Sequence, residues 1–384
     1  MKKHLKLVFA LFIVLSIKAC DEENTVGVPS SNSNSTINLD NSDNEEEDNN
    51  NNGSNSNWLI PVNQVRDGGP GKDGIPALLN PETRSINQTT YLKDDDLVLA
   101  IKIDNEIKVY PHTILDWYEI VNDQIGVDFF AITYCPLTGT GIGWDRKIDG
   151  AATTFGVSGL LYNSNLIPYD RRTNSNWSQM RLDCVNGSLI GEKVNTYTLF
   201  ETTFRTLKSM GINGEVVTTG TGYSRSYGTY PYGDYKTNDD LLYFPVAHED
   251  DRLPKKERIH GIIDGGRTLA VRFEDFSSGV QVYEETLNEK SIIISGSKQN
   301  NFIVSFYTTL DDGTKLEFEP VHGSLPVIMS DNEGNRWDIF GYAVSGPRVG
   351  SQLQPTRSLM SYWFAWAAFY PLTRLYGHVY EYIE

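Results

Sequence analysis

One pattern is written twice along this chain, and it restricts the fold more than any other feature. Near the end of the first half stand Val157-Ser158-Gly159, then the stretch from Asp170 to Trp177, then Gly187 and Gly191. Late in the second half stand Val321-His322-Gly323, then Asp331 to Trp337, then Gly346 and Gly350. The Asp-to-Trp and Trp-to-Gly spacings differ by one residue between the copies. Upstream, the apolar run Val98 to Ile103 corresponds loosely to Ile259 to Ile263. Ordered agreement at several points is the mark of an internal duplication. The expectation is two related β-rich halves, over residues 97–191 and 257–350, joined by an aromatic linker over 192–256. A C-terminal aromatic segment, 351–384, follows.

Short alternating runs bounded by Asp, Asn and Gly dominate both halves, among them Ala100–Tyr110, Ser291–Ser297, Asn301–Tyr307 and Lys315–Phe318. Alternation of this kind predicts half-buried strands. Thr113–Val121, Thr202–Met210 and Met360–Tyr370 carry the helix-like spacing. The predicted class is therefore α+β, β-dominated, with the two halves packed as one compact unit. No glycine motif of the nucleotide-binding kinds is present, and the Gly-rich stretch 67–74 lacks the strand–loop–helix context they need. It reads as a tight structural loop. Asp94-Asp95-Asp96 lacks the spaced oxygen ligands of a calcium loop and reads as a solvated turn. The chain has 33 Lys and Arg against 50 Asp and Glu, a formal charge of -17. Nucleic-acid binding needs a basic surface, so that class is excluded.

Chemistry concentrates in the first half, in Thr133-Tyr134-Cys135-Pro136-Leu137-Thr138-Gly139-Thr140-Gly141. Phe129–Ile132 reads as a buried strand leading to Cys135. Pro136 removes a strand donor, and Gly139 and Gly141 let the backbone turn close to a ligand. Two readings stand side by side: a reactive thiol displayed at a strand end, or a small buried apolar residue. The aligned part of the second half, near Phe306-Tyr307-Thr308, has no thiol, which assigns any thiol site to the first half. In the enzymatic form Cys135 is the thiolate, and His112 or Arg146 stabilises it. The Thr138 hydroxyl and the Gly139–Gly141 amides supply hydrogen bonds, while Tyr134 and Trp144 line the site. A structural role for His112, capping a helix, is the plainer alternative. His248, His260 and His322 lack zinc-ligand spacing. Between the halves, Thr221 to Tyr235 carries five tyrosines on a Gly/Pro-rich loop. It reads either as a binding loop, with Tyr223, Arg225 and Tyr232 as contacts, or as a flap over a sheet edge. Asp170 and Trp177, repeated as Asp331 and Trp337, read as a structural turn with a buried indole.

Several segments carry a family resemblance. The Cys135 run, Asp73-Gly74-Ile75-Pro76-Ala77-Leu78, Trp117 to Asp123, Phe155 to Ser164 and Phe364 to Pro371 together resemble the DUF3179 family over residues 58–384. The resemblance implies homology and little biochemistry, because the family's function is unassigned. Relatives carry Cys-Pro-Leu-Cys, some with selenocysteine, where this chain has Cys135-Pro136-Leu137-Thr138, and His where it has Tyr118. A Cys-x-x-Cys pair implies thiol–disulfide chemistry. With Thr138 at the second position, this member is a one-thiol version or has lost the activity.

The compartment is read from residues 1–57. Lys2, Lys3 and Lys6 precede the apolar run Leu7 to Ile17, and Lys18-Ala19-Cys20 follows. That predicts a signal peptide over 1–19 and resembles a lipobox in which Cys20 is lipidated. Asp21-Glu22-Glu23 resembles the export signal of surface lipoproteins in Bacteroidetes-type bacteria. The Asn/Ser/Asp/Glu stretch to residue 57 cannot bury enough apolar surface to order itself, and predicts a disordered tether. The expected protein is held at the cell envelope, with the membrane as partner through Cys20 and the outer membrane's surface as its place. Cys135 and Cys184 are then the remaining thiols, as a disulfide, as free groups or in a soft-metal site. The functional expectation is thiol-based redox or soft-metal chemistry at Cys135. The alternative is a non-catalytic lipoprotein that recognises a small ligand, glycan or protein through the Tyr-rich loop. No cofactor is named by these residues.

Overall fold

The computed structural model describes residues 57–378. The signal peptide, Cys20 and nearly all of the expected tether lie outside them. Leu97–Ile103 (β1) and Glu106–Pro111 (β2) form a hairpin. The run expected as one strand over 100–110 is broken at Asp104, whose φ of 52° turns the chain. His112–Tyr118 (α1) follows and stops at Glu119, which takes a left-handed φ of 57°. Ile120–Ile125 (β3), Asp128–Cys135 (β4) and Thr140–Asp145 (β5) make an antiparallel meander. Phe155–Tyr162 (β6), Asn165–Asp170 (β7), Asn176–Ser178 (β8) and Asp183–Asn186 (β9) pair in sequence order. Phe200–Thr203 (β10) then returns antiparallel to β1. Phe204–Ser209 (α2) leads to Glu215–Val217 (β11), parallel to β2.

The second half begins with the hairpin Arg258–Asp264 (β12) and Arg267–Arg272 (β13). Gln281–Leu287 (β14), Lys290–Ser297 (β15) and Phe302–Tyr307 (β16) form a meander. Phe318–Pro320 (β17), Val327–Asp331 (β18), Arg336–Asp338 (β19) and Ala343–Ser345 (β20) pair in order. Arg357–Tyr362 (β21) returns antiparallel to β12. Trp363–Phe369 (α3) leads to Arg374–Leu375 (β22), parallel to β13. The order and sense of pairing therefore recur between the halves, in β10-β1-β2-β11 and β21-β12-β13-β22. The structure is β-dominated, with few short helices and several sheets packed together.

The Asp–Trp turn repeats in its hydrogen bonds as well. Asp170 accepts from the Thr173 amide at 2.7 Å and from Trp177 Nε1 at 3.1 Å. Asp331 accepts from the Asn335 amide at 2.9 Å and from Trp337 Nε1 at 2.9 Å. Both indoles are buried, and in both copies the strand register shifts at the residue before the Trp. A buried indole N–H needs an acceptor, and a carboxylate closing the turn supplies one. Asp94 and Asp95 bind Arg205 and Lys208 at the surface, as a solvated turn does. Among the described residues no helix is long and apolar enough to cross a membrane.

Candidate functional site

Cys135 is the last residue of β4, paired with Thr140 across the turn. The displayed thiol of the first reading is not found: Cys135 is 1% exposed. The cause is the return of the chain. Tyr362 closes over the turn, its amide donating to the Thr138 carbonyl at 2.8 Å. A Cβ on Gly139 would come within 3.0 Å of the Tyr362 ring, and one on Gly141 within 2.3 Å of Leu99. The glycines serve close approach of the chain's own side chains. Behind the turn, Asn165 Nδ2 donates to Thr138 Oγ1 at 3.0 Å and to Gln179 Oε1 at 2.6 Å. Gln179 Nε2 in turn donates to the Thr133 and Thr140 carbonyls at 3.0 and 3.1 Å. These bonds fix the hairpin end in one shape.

The surroundings of the sulfur are nevertheless polar. The Ser164 carbonyl lies 3.5 Å from Cys135 Sγ, and polar groups of Thr138 and Leu166 favour its ionisation. Glu119, buried where α1 ends, shares the enclosure through its charge. Burial pushes the Cys135 thiol up to about 11, and the Glu119 charge adds to the push. Burial likewise lifts the Glu119 carboxyl to about 7, only partly offset by Tyr232. The Glu119 charge therefore opposes ionisation of the thiol. The Tyr235 hydroxyl lies in the same field, is buried, and has no hydrogen-bond partner.

The roof is the segment 218–257, which runs from β11 to β12 without helix or strand. Tyr232 donates to Glu119 Oε1 at 3.4 Å, and Tyr230 donates to the Pro136 carbonyl at 3.2 Å. Tyr235 is fully buried and stacks on Tyr243 at 4.9 Å. Lys256 latches this roof: its ammonium donates to the carbonyls of Tyr235, Asn238 and Leu241 and sits 3.5 Å from the Tyr235 ring centre. Of the two readings of the Tyr-rich loop, its inner tyrosines take the covering one. Tyr223 instead faces outward at 49% exposure, and Arg225 lies over the Trp117 and Tyr223 rings at 5.7 and 5.8 Å.

Other expected residues are placed differently. Tyr134 and Cys135 alternate across β4 and join different core clusters, as neighbours in a strand must. His112 follows Tyr134 to the other face. Its Nδ1 is 3.1 Å from the Tyr134 hydroxyl and its Nε2 is 3.4 Å from Glu201 Oε2. It therefore serves an ion network with Glu201 and Arg258 and not the thiol. Arg146 is spent on the Thr153 and Asp123 carbonyls, at 2.7 and 3.0 Å, away from the thiol. Trp144 is fully buried against Phe155 and Trp177 and belongs to the core, not to a site wall. Cys135 and Cys184 are both free thiols, and Cys184 Sγ lies 3.4 Å from the Asn186 carbonyl. Among the described residues no group of three or more His, Cys, Asp or Glu is arranged to hold a metal ion.

Sequence reasoning missed Glu119 as a member of the site, although it stands inside the Trp117–Asp123 segment. No local signal marked it, because the helix expected over Thr113–Val121 includes Glu119, whereas α1 ends one residue before it. The model of the DUF3179 family, described as a protein of unknown function, matches residues 72–373. The chain belongs to that family. No curated protein and no solved structure matches it.

Proposed function

We propose that the protein is a lipid-anchored envelope protein carrying a covered thiol site, in which Cys135 reacts and Glu119 takes its proton. The observation that carries this reading is the pairing of a buried thiol with a buried carboxyl under one tyrosine roof, the Tyr235 hydroxyl left unpartnered beside them. Buried polar groups ordinarily find partners, and acids perturbed by burial in an enclosure are candidates for a functional site. Lys2, Lys3, Lys6, the apolar run and Cys20 support the anchor. The recurring strand order supports descent of the halves from one duplicated unit.

The partner class is a small disulfide. The Cys135 S–H proton passes to the Glu119 carboxylate as the sulfur attacks one sulfur of the substrate. A Cys135 mixed disulfide forms, the old S–S bond breaks, and the leaving thiolate takes up a proton. With Thr138 where relatives place a second thiol, release needs an external thiol. In the closed state Cys135 should react with N-ethylmaleimide at pH 7 about a hundredfold more slowly than a free cysteine, following its thiolate fraction. Lys256→Met should loosen the roof and speed labelling and mixed-disulfide formation at Cys135, read by peptide mass. If both proteins label there only at their global unfolding rate, the thiol is packing and the reading fails.

Thr138→Cys offers a second check. Because Thr138 already meets the sulfur, the variant should close an internal disulfide under mild oxidation, with loss of both loop thiols to titration. Persistent free thiols would mean that the turn holds the two side chains apart. The outward Tyr223–Arg225–Trp117 surface favours the other reading, recognition of a ligand at the roof's outer rim. Under that reading Tyr223→Ala removes binding while Cys135→Ser leaves it intact.

A further inference from the structure

We infer that the chain carries a second site, a serine–histidine pair at the junction of its two β-rich halves that accepts a small uncharged carboxylic ester. His260 stands on β12 and Ser305 on β16, in different sheets. His260 Nε2 lies 2.8 Å from Ser305 Oγ. On its other side the same oxygen lies 2.5 Å from Thr356 Oγ1. A hydroxyl within hydrogen-bond reach of an imidazole is the arrangement in which the ring removes the hydroxyl proton as the oxygen attacks.

A buried hydrogen-bond chain with a purely structural role would show the same distances. The surroundings separate the two cases. Two adjoining depressions meet at His260, with Thr356 lining one, Ser305 the other and Ser358 both. Leu99, Ile142 and Met360 wall the first, and Phe306 and Phe340 the second. The second recess is the more apolar and suits the apolar arm of the ester, while the first, which also carries Thr196, Glu201 and Arg357, suits its polar end. Burial also keeps the ring in the neutral form that a base requires, pushed down to about 4 against the pull of Glu201.

The step balances with water alone. The Ser305 oxygen bonds to the ester carbon while His260 takes the hydroxyl proton. The carbon–alkoxy bond breaks, and the alcohol leaves with that proton. Water then attacks the acyl-serine, giving its proton to His260, and the carboxylic acid departs as Ser305 regains its hydrogen. Thr356 is a positioning residue here. The site has no part in the thiol chemistry proposed above.

The test treats the full-length protein with an alkyl fluorophosphonate, which bonds to an activated serine with loss of fluoride. It also follows p-nitrophenyl butyrate hydrolysis. The phosphonyl group should map to Ser305 by peptide mass. Ser305→Ala should abolish both label and turnover, His260→Gln should lower them roughly a hundredfold, and Cys184→Ser should label like the wild type. A folded wild-type protein that shows no label at Ser305, or a label on another hydroxyl, overturns the proposal. The wild-type map decides even where a variant fails to fold.

Discussion

Glu119→Gln will stabilise the fold at pH 8 by about 3 kcal/mol, and by less than about 1 kcal/mol at pH 5. In the folded protein the carboxyl titrates near 7, against an ordinary 4.5, because it is buried with only Tyr232 to bond it. The folded pKa is the higher one. Between 4.5 and 7 the unfolded chain has therefore released a proton that the folded chain still holds. Stability is complete below 4.5, falls as pH rises through 7, and stays reduced above it. Gln keeps an acceptor for the Tyr232 hydroxyl and carries no charge to desolvate, so it escapes the loss. Denaturant unfolding of both proteins at the two pH values measures the difference. An equal effect at pH 5 and pH 8 would show that Glu119 acts through packing and not through its charge.

Arg258→Met will destabilise the protein by roughly 3–5 kcal/mol, because it strands an ionised carboxylate in the interior. Burial alone would push Glu201 up, but Arg258 and His112 outweigh it and hold the group down at about 2. Arg258 reaches it from β12 and His112 from α1, so the acid ties the second half to the first. The double variant Arg258→Met with Glu201→Gln should recover most of the loss, since removing both charges removes the desolvation penalty. Equal destabilisation of single and double variants would place the effect in the packing of the Arg258 side chain, whose guanidinium also lies over the Phe273 ring at 4.9 Å.

Much of the fold was legible in the sequence because strands and turns are local. Alternation marked Lys290–Ser297 and Phe302–Tyr307, and the helix-like runs marked α1, α2 and α3 to within a few residues. The site was less legible, since its walls come from remote parts of the chain. Tyr362 lies far beyond Cys135 in sequence, yet it closes the turn that Pro136 and Gly139 open. Nothing local distinguishes a glycine that admits a ligand from one that admits a tyrosine. His112 was assigned to the thiol on chain proximity. The alternation of β4 sends its partner Tyr134 to the opposite face, and that parity is decided by which side of the sheet the second half covers. Trp144 failed for the same reason, its neighbours Phe155 and Trp177 being supplied by later strands.

The segment 218–257 is at once the only covalent tie between β11 and β12 and the cover of the thiol. Connectors on protein surfaces usually drift freely in length, because nothing beneath them depends on their path. Here a residue gained or lost between Tyr230 and Lys256 shifts the register of tyrosines over Glu119 and Cys135. An insertion or deletion in this irregular joint should therefore disturb the protein as much as one in a strand. The even-numbered rhythm Tyr230, Tyr232 is a spelling that insertions would corrupt, while the sheets on either side remain free to exchange one aliphatic residue for another.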